Sequence, residues 1–193
     1  RDVAQQLDAD LGKVLRFRQD GSIPTDNPFT QTPGARHAIY TYGHRNPQGL
    51  ALHPVTGELW ETEHGPRGGD EINIIKAGAN YGWPLITYGI DYNGSIISKE
   101  SSRPGMEQPV IYWIPSIAPS GLTFYYGDLF PNWNGNLFAG ALAGKHLRRL
   151  EIQNNTVVHQ EVLLRNMIGR IRDVRSGPDG VLYILTDENP GAL

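Results

Sequence analysis

Not one cysteine occurs in the 193 residues, which removes disulfides, thiolate nucleophiles and cysteine-ligated metals together. No apolar run approaches membrane-spanning length, and the first residues do not read as a signal peptide. Basic residues form no block. Lys and Arg number 17 against 20 Asp and Glu, for a net charge of −3. Nucleic acid or an anionic membrane therefore gains no electrostatic support as a partner. Helical periodicity is nearly absent, leaving room for one helical turn in the first dozen residues. The six histidines form no metal-binding pattern, no Ser/His/Asp arrangement is legible, and no glycine loop is shaped to cradle a phosphate.

What the chain does have is glycine and proline, 23 and 14 residues, scattered as turn punctuation between short apolar runs. That pattern predicts many short strands joined by tight turns. Strands are expected at 13–18, 38–42, 48–53, 57–63, 70–75, 109–113, 121–126, 135–142, 146–151, 156–164, 169–176 and 180–187. A polar loop is expected over 87–106. Three of these runs open with Gly-x-Leu-aromatic, at Gly57, Gly135 and Gly180. A second element recurs about a dozen residues after the first two, at Glu71–Ile75 and His146–Leu150, and Lys13–Phe17 resembles it. Radial repetition of four-stranded units is the mark of a β-propeller. The expectation is an all-β fold, a single partial propeller domain over 1–193 with about three blades, read as a piece of a longer protein. A β-sandwich would leave the two-element repeat without a cause.

Polar groups able to grip an anion or a cation gather at strand ends. Arg45-Asn46-Pro47 offers a guanidinium fork and an amide, suited to a carboxylate and a carbonyl or simply to loop carbonyls. Gly65-Pro66 leaves main-chain carbonyls free, and Asp70, Glu71, the Tyr81 region and Asp91 add oxygen ligands of the hard type that suits Ca²⁺. A solvated acidic loop is the competing reading. Arg170 and Arg172 share one strand face and need an anion, either a ligand or an acid elsewhere in the protein. Lys145, after Gly144, is a further cation or a solvated lysine.

The runs GHRNPQGLALHP, EHGPRGGDEINIIKAGANYGWP, IPSIAPSGL and GRIRDVRSGPDGVLYILTD together resemble the soluble, quinone-dependent glucose/sorbosone dehydrogenases, and most of all the periplasmic aldose sugar dehydrogenases. The resemblance covers essentially the whole chain. It implies a six-bladed β-propeller that oxidises the C1 hydroxyl of an aldose to a lactone, with pyrroloquinoline quinone (PQQ) as hydride acceptor and Ca²⁺ polarising it. By that resemblance Arg45 and Asn46 contact PQQ, and Lys145, Arg170 and Arg172 face its carboxylates. Gly144 and Ser116 line the same site. The carbonyls of Gly65 and Pro66 hold the catalytic Ca²⁺, while Glu71, Tyr81 and Asp91 bind a structural one. The family's general-base histidine falls upstream of the segment resembling Leu7–Arg18, so no catalytic residue is assigned in this chain, and alone it is expected to be inactive. An aldose and a separate electron acceptor are the implied partners, with neither nucleic acid nor membrane insertion. The likeness places the protein in the periplasm and leaves room for a homodimer of the full-length protein. Two other readings stay open: a calcium-dependent propeller hydrolase of the sugar-lactonase type, and a non-catalytic binding propeller.

Overall fold

A computed structural model describes residues 1–193. It contains twelve strands and two short 3₁₀ turns, at Asp2–Gln5 and Pro131–Trp133. The strands are β1 (Lys13–Leu15), β2 (Ile39–Tyr42), β3 (Pro47–Leu52), β4 (Leu59–Glu63), β5 (Asp70–Ile75), β6 (Ile111–Trp113), β7 (Pro119–Phe124), β8 (Leu137–Ala141), β9 (His146–Gln153), β10 (Thr156–Leu163), β11 (Ile171–Ser176) and β12 (Leu182–Thr186). They form two complete four-stranded antiparallel sheets, β3-β4-β5-β6 and β7-β8-β9-β10, and two hairpin-like pairs, β1-β2 and β11-β12. This is a partial β-propeller. The Gly-x-Leu-aromatic repeat opens β4, β8 and β12, the second strand of each unit, and the other recurring element is the third strand. In these terms β1-β2 supplies the third and fourth positions of a blade, and β11-β12 the first and second.

The hydrophobic core lies between blades, not within one. Trp60 and Ile72 of the first sheet bury against Leu122, Phe124, Leu137 and Leu150 of the second. The Trp60 and Phe124 rings meet edge-on at 5.5 Å. A second cluster, Tyr125, Phe138, Leu147, Ile171 and Val174, joins the second sheet to β11. First strands of adjacent blades come closer than side chains would allow. A Cβ at Gly49 in β3 would lie 2.6 Å from the Ser120 carbonyl oxygen, and one at Gly121 in β7 would meet the Asp173 carboxylate. Hydroxyls bridge the same seams: Thr62 Oγ1 donates to Ser120 O at 2.6 Å, and Ser120 Oγ donates to Ile171 O at 2.7 Å.

Register decides where function can sit. The start of each first strand faces the end of each second strand: Pro47 pairs with Glu63, Pro119 with Ala141 and Ile171 with Thr186. The loops before β3, β7 and β11 and those after β4, β8 and β12 thus share one end of the molecule. The long 76–106 loop returns to it through bridges Tyr42–Asn80 and Arg67–Ile90. Residues 87–106, the polar stretch expected to be loop, form no named strand.

Candidate functional site

All the residues singled out by sequence fall at this shared end. The turn after β2 carries Arg45 and Asn46, and Glu63 at the end of β4 holds it. Its Oε2 accepts the main-chain N–H of Arg45 at 2.7 Å and of Asn46 at 3.3 Å. Arg45 lies over the rings of Trp83 and Tyr92, 5.5 and 5.9 Å from their centroids. Its guanidinium donates to His64 O at 3.0 Å and to Tyr92 Oη at 3.3 Å.

From Asn46 a chain of polar contacts crosses to the other blades. Gln48 Nε2 donates to Asn46 Oδ1 at 3.0 Å, and Arg172 Nη1 reaches Gln48 Oε1 at 3.5 Å. Arg170 and Arg172 both donate to Asp187 Oδ2, at 2.9 and 3.1 Å. Those bonds, from Arg170 first, hold the Asp187 carboxyl below the usual carboxylate range. Lys145 is exposed in a left-handed turn (φ 47°). Gly144 N–H ties that turn to Ile117 O at 2.9 Å.

The Gly65–Gly69 loop is clamped by Asp70. Its two carboxylate oxygens accept from Gly65 N (2.8 Å), Ser116 Oγ (3.1 Å), Ile117 N (2.7 Å) and Ala118 N (2.8 Å). Ser116 is spent in the same clamp, since its oxygen accepts from Gly68 N at 2.9 Å. Held this way, the carbonyl oxygens of Gly65 and Pro66 accept no hydrogen bond, and neither does that of Tyr81. Buried carbonyls normally find partners, so three free ones around a single cavity fit a cation. The cavity, about 20 Å³, is also lined by Glu63, Glu71 and Arg45, which is room for one ion or water. Glu71 has a single long bond there, from Asn73 Nδ2 at 3.4 Å. Burial, then the Glu63 charge, pushes its carboxyl well above the usual range. The Tyr81 hydroxyl donates to Ile74 O at 2.6 Å and accepts from Lys76 N at 2.9 Å, so its carbonyl is the available ligand. Asp91 lies apart from this cavity. It pairs with Arg1 at 2.6 Å in an open depression of about 340 Å³ shared with Arg45, Asn46, Pro66, Trp83 and Tyr92.

His64 stands between the two groups but is fully engaged. Its Nε2 bonds Pro119 O at 2.7 Å, and Nδ1 faces Asn46 Nδ2 at 3.5 Å. Burial lowers its pKa, with Arg45 and Arg172 adding to the shift and the Pro119 carbonyl opposing it.

The sequence profile of the glucose/sorbosone dehydrogenases matches residues 1–193. The chain belongs to this family. It is 50% identical over its whole length to aldose sugar dehydrogenase YliI of Escherichia coli (strain K12), of which it covers 53%. The crystal structure of the soluble aldose sugar dehydrogenase from Escherichia coli, in the apo-form, superposes with a TM-score of 0.95 at 50% identity, covering 99% of this chain and 56% of that one. The PQQ-bound aldose sugar dehydrogenase of Streptomyces coelicolor gives 0.75 at 31% identity, covering 95% and 48%. The chain thus spans about half the length of these relatives.

Reading the residues alone did not single out Glu63, the clamping role of Asp70, or Asp187. Asp187 ends a recognisable strand two positions after Leu185, and pairing that strand with the Arg-bearing one would have brought it to the arginines. Glu63 and Asp70 carry no local signal, because their partners lie up to 48 residues away.

Proposed function

We propose that this end of the propeller binds PQQ and Ca²⁺ as part of an aldose dehydrogenase. The observation that carries this reading is the polar chain from Arg45 and Asn46 through Gln48 to Arg172 and Arg170, beside the free carbonyls of Gly65 and Pro66. Cations in such an array suit a flat polycarboxylate, and uncommitted carbonyl oxygens suit a hard cation. When bound, the quinone supplies the hydride acceptor and the ion polarises it.

The residues of this chain bind and orient. Arg170 and Arg172 receive carboxylates, with Asp187 keeping both guanidinia aligned, and exposed Lys145 adds a third positive charge. Arg45, braced by Trp83 and Tyr92, and Asn46 would bind further oxygens of the same ligand. Asp70 fixes the peptide units of Gly65 and Pro66 so that their oxygens stay turned toward the metal. Glu71 and the Tyr81 carbonyl line the same cavity as those oxygens. No base is assigned here: His64 gives one ring nitrogen to Pro119 and turns the other to Asn46.

The test is to supply PQQ and Ca²⁺ to the intact apoprotein and follow aldose oxidation with a dye acceptor and the quinone absorbance. Absence of both turnover and spectral change would reject the reading. Arg172→Ala removes one or two charge-assisted bonds, and PQQ affinity should fall roughly ten- to a hundredfold. Unchanged affinity would remove Arg172 from the site.

A further inference from the structure

Behind the Arg45–Asn46 turn is a second set of ligating atoms, sealed from solvent. His44 on the turn and Glu61 and Glu63 on β4 each offer one atom, all within 4.8 Å of one another. The two glutamates are alternate residues of a strand and share a face. His44 and Glu61 are 0% exposed and Glu63 is 4% exposed. Asn73 on β5 joins them, with Nδ2 at 3.2 Å from Glu61 Oε2 and 3.2 Å from Glu63 Oε1.

This group is short of positive charge. No Lys or Arg side chain pairs with either glutamate; the one ion-pair contact is that of Glu63 with His44. Glu61 Oε1 and Asn73 Oδ1 are buried with no partner at all. Burying carboxylates without a counter-charge or a full set of hydrogen bonds is costly.

The imidazole is already posed as a ligand. Its Nε2 lies 2.8 Å from Thr41 Oγ1, an oxygen able to accept Nε2–H and so to leave the other nitrogen's lone pair for a metal. Nδ1 then faces Glu63 Oε1 at 3.4 Å. That is long for a hydrogen bond, but it is about the separation of two ligands on one tetrahedral ion with bonds near 2.0–2.1 Å. We infer that His44, Glu61 and Glu63 bind a divalent transition ion of the zinc or manganese type, with Asn73 orienting the carboxylates. A nitrogen ligand beside two carboxylates favours such an ion over Ca²⁺. The site adjoins the all-oxygen set at Gly65, Pro66, Glu71 and Tyr81, with Glu63 also lining that cavity and Asn73 touching Glu71 as well. It uses His44 and Glu61, which that set lacks, and does not rest on the quinone reading. Because it is closed, the ion enters during folding and pins the turn after β2 to β4.

The experiment needs neither PQQ nor turnover. The intact protein is unfolded with chelator and refolded with excess Ca²⁺ alone, or with added Zn²⁺, Mn²⁺ or Co²⁺. It is then passed through chelator and its metal counted by mass spectrometry. About one equivalent of transition ion should be retained, raising the melting temperature over the calcium-only sample. Co²⁺ should give a visible absorption band of mixed nitrogen and oxygen ligation. Glu61→Gln, which keeps shape and removes charge, should lose the ion. Retention of less than about a tenth of an equivalent in the unaltered protein, the outcome if a proton on Glu61 serves in place of a metal, overturns the inference. Full retention by Glu61→Gln overturns it as well. If that variant does not fold, the metal count and cobalt spectrum of the unaltered protein decide alone.

Discussion

Asp187 sits beside two arginines, Arg172 on β11 and Arg170 just before it, and one of its oxygens takes bonds from both. A carboxyl held below its ordinary pKa stabilises the folded state above the unfolded pKa and loses that contribution as pH falls through the folded value. Melting of the protein should therefore be more acid-sensitive below about pH 4 than that of Asp187→Asn, the two curves converging at the acid end. Parallel curves would show that the pair is not felt in stability. The arginine pair itself was legible because residues two apart on a strand share a face. Its acid was not, because that partner lies 15 residues on and arrives only through the β11–β12 register. Asp70 illustrates the same limit. Its place beside a Gly-Pro loop reads as a ligand by chemistry, whereas four donors from two loops occupy it completely.

At the level of the strand, hairpins and turns could be read directly, since Gly and Pro mark them and β5 begins and ends where its apolar alternation does. The strand starts shifted where tertiary contacts intervened. β1 stops at Leu15, short of the expected Arg18, after a register shift against β2, and Asn27 Nδ2 takes the Arg16 carbonyl at 3.1 Å. β7 begins at Pro119, ahead of the expected Gly121, because a first strand residue can dispense with its N–H. No sequence pattern announced that Gly49 and Gly121 mark the seams between blades. Gly121→Ala would force β7 away from Asp173 on β11, and overpacking of this kind costs about 1–3 kcal/mol. A melting temperature unchanged from that of the unaltered protein would show that the seam has slack.

For the molecule as a whole, the repeat of two strand types disclosed the architecture before any coordinate. What it could not disclose was how blades are joined, because the core is built from residues of different units, such as Trp60 and Phe124, 64 positions apart in number yet ring to ring. Protection should follow this arrangement. Amides of β4, β5 and β8, flanked on both sides and buried, should exchange with solvent on the order of a hundredfold more slowly than those of β10. β10 is the outer strand of a complete four-stranded sheet, pairs only with β9, and carries the exposed Val158. Equal rates along the series would mean that the β10 edge is covered in solution.

Glu63 divides its two oxygens between worlds: one faces the interior with His44 and Asn73, the other carries the turn that presents Arg45 and Asn46. A rigid carboxylate cannot move one oxygen without the other. Whatever tightens its inner side must therefore alter affinity on the outer face, and an outer ligand must return the same free energy inward. The order in which the protein is loaded thus becomes a matter of rate alone, while the final affinities are reciprocal.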